Sequence, residues 1–218
     1  MFAVIFEVIP KPERRDDYLH EAGRLRPELE KIDGFIANER YASLERAGWV
    51  LSLSIWRNEK AVIRWRTQAR HHRTQEKGRF EIFADYRLRV GEITADTGLP
   101  AGEILREERF DETETGAAKL AIVTETRLAE PETARLDVPQ AGRDPGLVAA
   151  DVFRHIARPD DLLLLTLWAE ASHGDAWLAR RGRGGARHRR VRIVRDYGMF
   201  DRREAPQYYP SVEAEHAG

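Results

Sequence analysis

A tryptophan pair occurs twice in this chain, and each time it closes the same kind of segment. Trp56 and Trp65 end LSLSIWRNEKAVIRW, and Trp168 and Trp177 end LLLLTLWAEASHGDAW. In both, an apolar run stops at a Trp and a second Trp follows nine residues later, which uses four of the five tryptophans. Self-similarity of this kind marks a repeated structural unit and takes precedence over any element-by-element reading. It divides the 218 residues into two units of about 100 residues, each long enough for a core.

The first unit reads as β-α-β-β-α-β. Phe2 to Ile9 is a strand rich in Val, Ile and Phe, stopped by Pro10. A helix from Pro12 to Lys31 follows, with Tyr18, Ala22, Leu25, Leu29 and Ile32 on one stripe and a kink or local break expected at Pro27. Gly34 suits a left-handed cap. Strands Phe35 to Tyr41 and Trp49 to Trp56 join through a hairpin loop, SLERAG. Asn58 then caps a helix running to Lys77, with Gly78 as its stop. Tyr86 to Ile93 alternates apolar and polar residues, as a half-buried strand does.

Residues 95–117 are polar, acidic and turn-rich, and read as a linker. The second unit repeats the pattern with both helices eroded. Its strands are Lys119 to Leu128, Val148 to His155, Leu162 to Trp168 and Val191 to Val194. EPETARLDVPQAGRDPG, where the first helix would stand, reads as loop. The second helix shortens to Ser172–Arg180, with Ser172 and Asp175 spaced as a capping box. The expected class is α+β: a ferredoxin-like βαββαβ repeated twice, over 1–94 and 118–204, with a tail at 205–218.

A formal charge of −1 gives no general attraction to nucleic acid or anionic lipid. Without cysteine there is no disulfide, thiolate metal site or thiol nucleophile. No apolar run approaches the roughly 20 residues of a membrane span, and the N-terminus lacks the basic start of a secretory signal; a cytoplasmic protein is expected. The histidines are scattered apart from His71-His72, so no metal site is expected, and GRGG at 182–185 lacks the phosphate-loop spacing. RRGRGGARHRRVR at 180–192 has the composition of an RNA-binding segment. The strand AGWVLSLSIW lacks the interleaved aromatics an RNA-recognition module needs, so the basic run reads as a solvated or interface-facing helix end.

Three segments carry a resemblance: the strand ending in Trp56, the helix RNEKAVIRWRTQARHH, and the closing strand YRLRV. Over residues 2–94 this resembles the antibiotic biosynthesis monooxygenase family, a group of dimeric α/β-barrel proteins. A weaker echo spans 119–204, including VRIVRDYGMF. The resemblance implies a sheet closing against a second sheet, with a pocket between sheet and helices. With two copies in one chain, the barrel forms as an intrachain pseudo-dimer, and a homodimer of such chains is a further assembly. It also implies cofactor-independent oxidation of a phenol or quinol by deprotonation, electron transfer to O2 and recombination in a dry cavity. Some relatives degrade haem with an Asn in the first strand, where this chain has Glu7 and no Asn. Haem ligation by His72 stays open, as does a purely ligand-binding role for a small aromatic or hydrophobic molecule.

If the second helix is continuous, Trp65 and His72 lie about 700° apart and share a face, with His71 pointing roughly 100° away. His72 is then the expected proton acceptor, Trp65 its neighbouring wall, and Gln68 lies beside them. Arg40 and Tyr86 are the residues expected to orient a substrate oxygen. Trp56 is assigned to the substrate wall as well, although packing on the helix accounts equally for its position.

Overall fold

Alternation along the strands sorts the apolar residues into two layers, one enclosed by a barrel and one lying under helices. The computed structural model describes residues 1–127, 137–181 and 185–206. In the N-terminal half, β1 (Phe2–Pro10) leads through a short 3-10 turn to α1 (Arg15–Leu29). Next come β2 (Phe35–Ser43), β3 (Val50–Trp56), α2 (Glu59–Thr67), α3 (Ala69–Lys77), a π-turn at Gly78–Ile82, and β4 (Phe83–Asp96). The C-terminal half holds β5 (Leu120–Arg127), β6 (Leu147–His155), β7 (Asp161–Trp168), α4 (Ala171–Arg180) and β8 (Arg187–Gly198). All pairings are antiparallel, and the strands close in the order β1-β3-β2-β6-β7-β5-β8-β4.

Each half therefore contributes the same run of four strands, and the chain makes the whole barrel by itself. Two seams join the halves, β4–β8 along most of both strands and β2–β6 over Tyr41↔His155 to Ser43↔Phe153. Ala3, Ile5, Leu51, Leu53 and Ile55 meet Ala121, Val123, Leu163, Leu165 and Leu167 inside the barrel. The alternate residues face outward but are also covered, Phe2, Val4 and Trp56 under α2 and Leu120, Ile122, Leu164 and Trp168 against α4. Burial on both faces is why β1, β3 and β7 read as nearly unbroken apolar runs.

The two halves also match in their polar contacts. Trp56 Nε1 donates to Ser54 Oγ at 2.9 Å, and Trp168 Nε1 to Thr166 Oγ1 at 2.9 Å. Arg89 bridges Glu7 to Asp196 (3.4 Å to the latter), while Arg189 bridges Glu125 to Asp96 (3.2 Å to the latter). At the short seam Ser43 Oγ donates to Asp151 at 2.9 Å, and His155 Nε2 to Glu39 at 2.8 Å. His155 Nδ1 accepts from two backbone amides, which leaves Nε2 to carry the proton. The contacts to Asp196 and Asp96 cross between halves, so Asp196 has its arginines in the N-terminal half and Asp96 has its own in the C-terminal half.

Several expectations change. The chain does not break at Pro27, which sits in the last turn of α1 and forfeits only one backbone hydrogen bond there. Gly34 takes φ +92, and a Cβ on it would stand 2.7 Å from that of Ala61, so the turn sets the α1–α2 contact. The capping box at Ser172 is absent: α4 begins at Ala171, and Asp175 is engaged with Arg190 at 2.7 Å. The basic run is a helix end only at Arg180 and Arg181, the last residue and C-cap of α4. Arg187, Arg189, Arg190 and Arg192 are residues of β8, bound to Asp96, Glu125, Asp175 and Glu107. Much of EPETARLDVPQAGRDPG lies outside the described residues, as do 182–184 and most of the C-terminal tail; the described 137–146 are irregular. Among the described residues no helix is long and apolar enough to cross a membrane.

Candidate active site

Between the outer face of the N-terminal half-sheet and α1–α3 lies a cavity of about 230 Å³. Its floor is apolar, with Val4 and Phe6 from β1 and Leu88 and Val90 from β4. Leu25, Leu29, Val62 and Trp65 close it from the helices. Into this enclosure project Arg40 from β2, Arg66 from α2 and Arg195 from β8, together with Tyr18, Tyr86 and His71.

Among the described residues none of these three guanidiniums forms an ion pair within 4 Å. The two acidic residues of the lining are engaged elsewhere: Glu21 with Lys77 at 3.0 Å, which depresses its carboxyl pKa, and Glu59 with Arg109 at 2.8 Å. Nε of Arg40 and of Arg66 are both buried without a hydrogen-bond partner among the described residues. An unpaired guanidinium facing an apolar enclosure is costly unless an anion or water meets it. Burial pushes the Tyr18 phenol above its ordinary pKa, and the Arg40 guanidinium beside it pulls partly the other way.

His71 is shaped by a break in the helix. At Gln68 the backbone turns extended (φ −62, ψ 127), ending α2 and starting α3. Gln68 makes the break stable: its Oε1 caps the His71 amide at 2.7 Å and its Nε2 donates to Glu28 of α1 at 2.8 Å. The turn folds the His71 ring flat onto Trp65, with centroids 4.1 Å apart and planes 15° apart. Nδ1 lies 2.9 Å from the Trp65 carbonyl, which can only accept, so Nδ1 carries the proton and Nε2 is left as an acceptor. Burial, with a smaller push from His72, lowers the ring pKa to about 4, so the imidazole is neutral at pH 7.

At the matching place in the other half the described residues are packed. Arg40 stands opposite Ser52 across β2–β3, and Val152 opposite Leu164 at the matching place across β6–β7. Val152, Leu164, Trp168 and Trp177 pack together there as core. Trp177 is buried against Trp168, 5.5 Å between ring centroids, whereas Trp65 stays half-buried on the cavity wall.

Residues 1–77 match the sequence profile of the antibiotic biosynthesis monooxygenase family. Over 220 residues the chain is 44% identical to the protein named Jasmonate monooxygenase ABM of Pyricularia oryzae, covering 96% of this chain and 99% of that one. The chain belongs to the antibiotic biosynthesis monooxygenase family. Aldoxime dehydratase (OxdRE), solved in complex with butyraldoxime, shares the fold: TM-score 0.57 at 12% identity, over 88% of this chain and 79% of that one. An anthrone oxidase-like protein aligns at TM-score 0.37 and 14% identity, over 94% and 96% of the two chains.

In this family member the cavity gathers Trp65, Arg40 and Tyr86 from the residues singled out by sequence, and leaves out His72, Gln68 and Trp56. Trp65 and His72 do not share a face, because the break at Gln68 rotates α3 relative to α2. His72 is exposed, and His71 takes the inward position. Gln68 spends both ends of its amide on Glu28 and the α3 cap. Trp56 is fully buried, edge-on to Phe35 at 5.5 Å, with its N–H given to Ser54. His71, Arg66, Arg195 and Tyr18 were not foreseen. One signal was available for the β2–β3 pair: Arg40 and Ser52 hold the places filled by Val152 and Leu164 in the second half.

Proposed function

We propose that this chain is a monooxygenase whose substrate is a small amphipathic carboxylic acid of the jasmonate kind. The apolar body would fill the space between sheet and helices, and Arg40 would receive the carboxylate. The carrying observation is the Arg40 guanidinium in an apolar cavity, beside Tyr18 and with its Nε buried without a partner among the described residues; the relative's name supports the reading independently. A bidentate guanidinium–carboxylate contact away from water would be strong and orienting. Monooxygenation places one oxygen atom of O2 in the substrate and reduces the other to water with two electrons and two protons. Hydroxylating a C–H bond of such an acid leaves it no electrons to give to the second oxygen atom, so a reductant from solution must supply them.

A second reading is favoured by one feature. His71 presents a neutral Nε2 acceptor, suited to receive the hydrogen bond of a phenol or quinol O–H and so orient it, and such a substrate provides its own electrons without a cofactor. We further infer that residues 1–94 and 118–204 are tandem copies joined by 95–117, of which the first alone keeps a site.

The test is ¹⁸O2 incorporation, read by mass spectrometry, with jasmonate and with a hydroquinone panel, each with and without a nicotinamide reductant. Labelled jasmonate only with reductant, lost in Arg40→Met, supports the first reading. Labelled quinol product without reductant, lost in His71→Phe, supports the second. Tight binding of either ligand without label would make this a binding protein of the same fold.

A further inference from the structure

The hydroxyl of Tyr86 receives two guanidinium donors. Arg202 Nη1 donates to it at 2.7 Å and Arg79 Nη1 at 3.3 Å. A phenol oxygen has one proton to give and lone pairs to receive with. With its acceptor side occupied by cations, the Tyr86 proton has no acceptor among the described residues. The ring is held by Phe6 at 5.6 Å and Phe83 at 6.1 Å, and the residue lines the cavity.

Arg79 is the less expected of the two donors. It stands on the π-turn between α3 and β4, is 2% exposed, and also donates to the Met199 carbonyl at 2.6 Å. A π-turn is a strained element that recurs at functional sites. Burying a guanidinium there is costly, and Tyr86, which lines the cavity, is one of the groups that receive it.

We propose that Arg79 is a positioning residue. Together with Arg202 it fixes Tyr86 as a hydrogen-bond donor aimed into the cavity, where it binds a neutral oxygen acceptor of the ligand, a ketone carbonyl. Cationic neighbours polarise the phenol and strengthen the bond it donates. This deepens the proposed function by giving the ligand a second polar handle, Tyr86 on β4 in addition to Arg40 on β2.

The experiment compares two matched pairs by calorimetry: dihydrojasmonic acid against its analogue lacking the ketone, and 2-pentylcyclopentanone against pentylcyclopentane. The wild type is expected to favour each ketone by about tenfold, the worth of one buried hydrogen bond. Tyr86→Phe should bind both members of a pair equally. Arg79→Met should lose most of the preference and raise the infrared C=O stretch of the bound ketone, and Arg79→Lys should restore both. If Arg79→Met does not fold, Arg202→Met carries the same measurement. Full preference kept in Tyr86→Phe, an unmoved stretch in the Arg variants, or no binding of either ketone overturns the proposal. The neutral pair has no carboxylate, so a failure of the Arg40 reading alone leaves its ketone preference intact.

Discussion

Protonation of His71 should cost the folded protein stability in a defined pH window. In the fold its pKa is about 4, set mainly by burial, while the free side chain titrates near 6.5. The folded value is the lower one, so the unfolded chain binds the extra proton first as pH falls. Stability is therefore complete above about pH 7, is lost as pH drops through the unfolded value, and stops falling near the folded one. At 1.36 kcal/mol per unit, the separation of about 2.5 units gives a ceiling of about 3 kcal/mol, of which about 2 kcal/mol is gone by pH 5. The perturbation is His71→Gln, whose amide can still donate to the Trp65 carbonyl but does not titrate. Urea unfolding of both proteins between pH 5 and pH 8 isolates this group, because the carboxylates contribute equally to each. The wild-type advantage at pH 8 should shrink by about 2 kcal/mol at pH 5. A difference constant across that range, or an NMR titration of His71 with a midpoint near 6.5, would refute the buried neutral imidazole.

Filling the cavity as the second half does, with Ser52→Leu, should stabilise the fold by about 1–2 kcal/mol and abolish ligand binding, seen by thermal melting and calorimetry. Gln68→Ala removes the α3 cap and the tie to Glu28; a loss of about 1 kcal/mol is expected, with faster hydrogen exchange at the His71 amide. Arg89→Met leaves Glu7 with Arg46 and Asp196 with Arg87, and Arg189→Met leaves Asp96 with Arg187 and Glu125 with Tyr41. Each should cost about 2 kcal/mol in denaturant unfolding, the worth of a hydrogen bond to a charged group, against no more than about 0.5 kcal/mol for exposed Arg26→Met.

The strands were legible because burial on both faces leaves long apolar runs, and because strand-end tryptophans repeat in register. Arg40 and Tyr86 were legible because period two places a residue's face once the strand is known. The helix break was not. Nothing in RWRTQARHH interrupts a helix locally; the break is held by Gln68 reaching Glu28, forty residues back on another element. Helical phase carried across that point puts His72 inward, and the tertiary contact puts His71 there instead. Trp56 misled for a different reason. Its ring lies at the end of a strand that flanks the cavity, yet Phe35 and Ser54 enclose it completely.

The two seams have a consequence for assembly. Arg87 pairs with Gly198 and Tyr41 with His155, contacts whose formation waits on closing very long chain loops, so folding should be slow and the halves should linger unjoined. A half in that state offers two open strand edges that its own partner half fits, and so does the equivalent half of another molecule. At high concentration two chains can close each other's barrels instead of their own, giving a domain-swapped dimer with every native contact preserved. The same complementarity that makes one chain sufficient thus makes refolding yield depend on dilution.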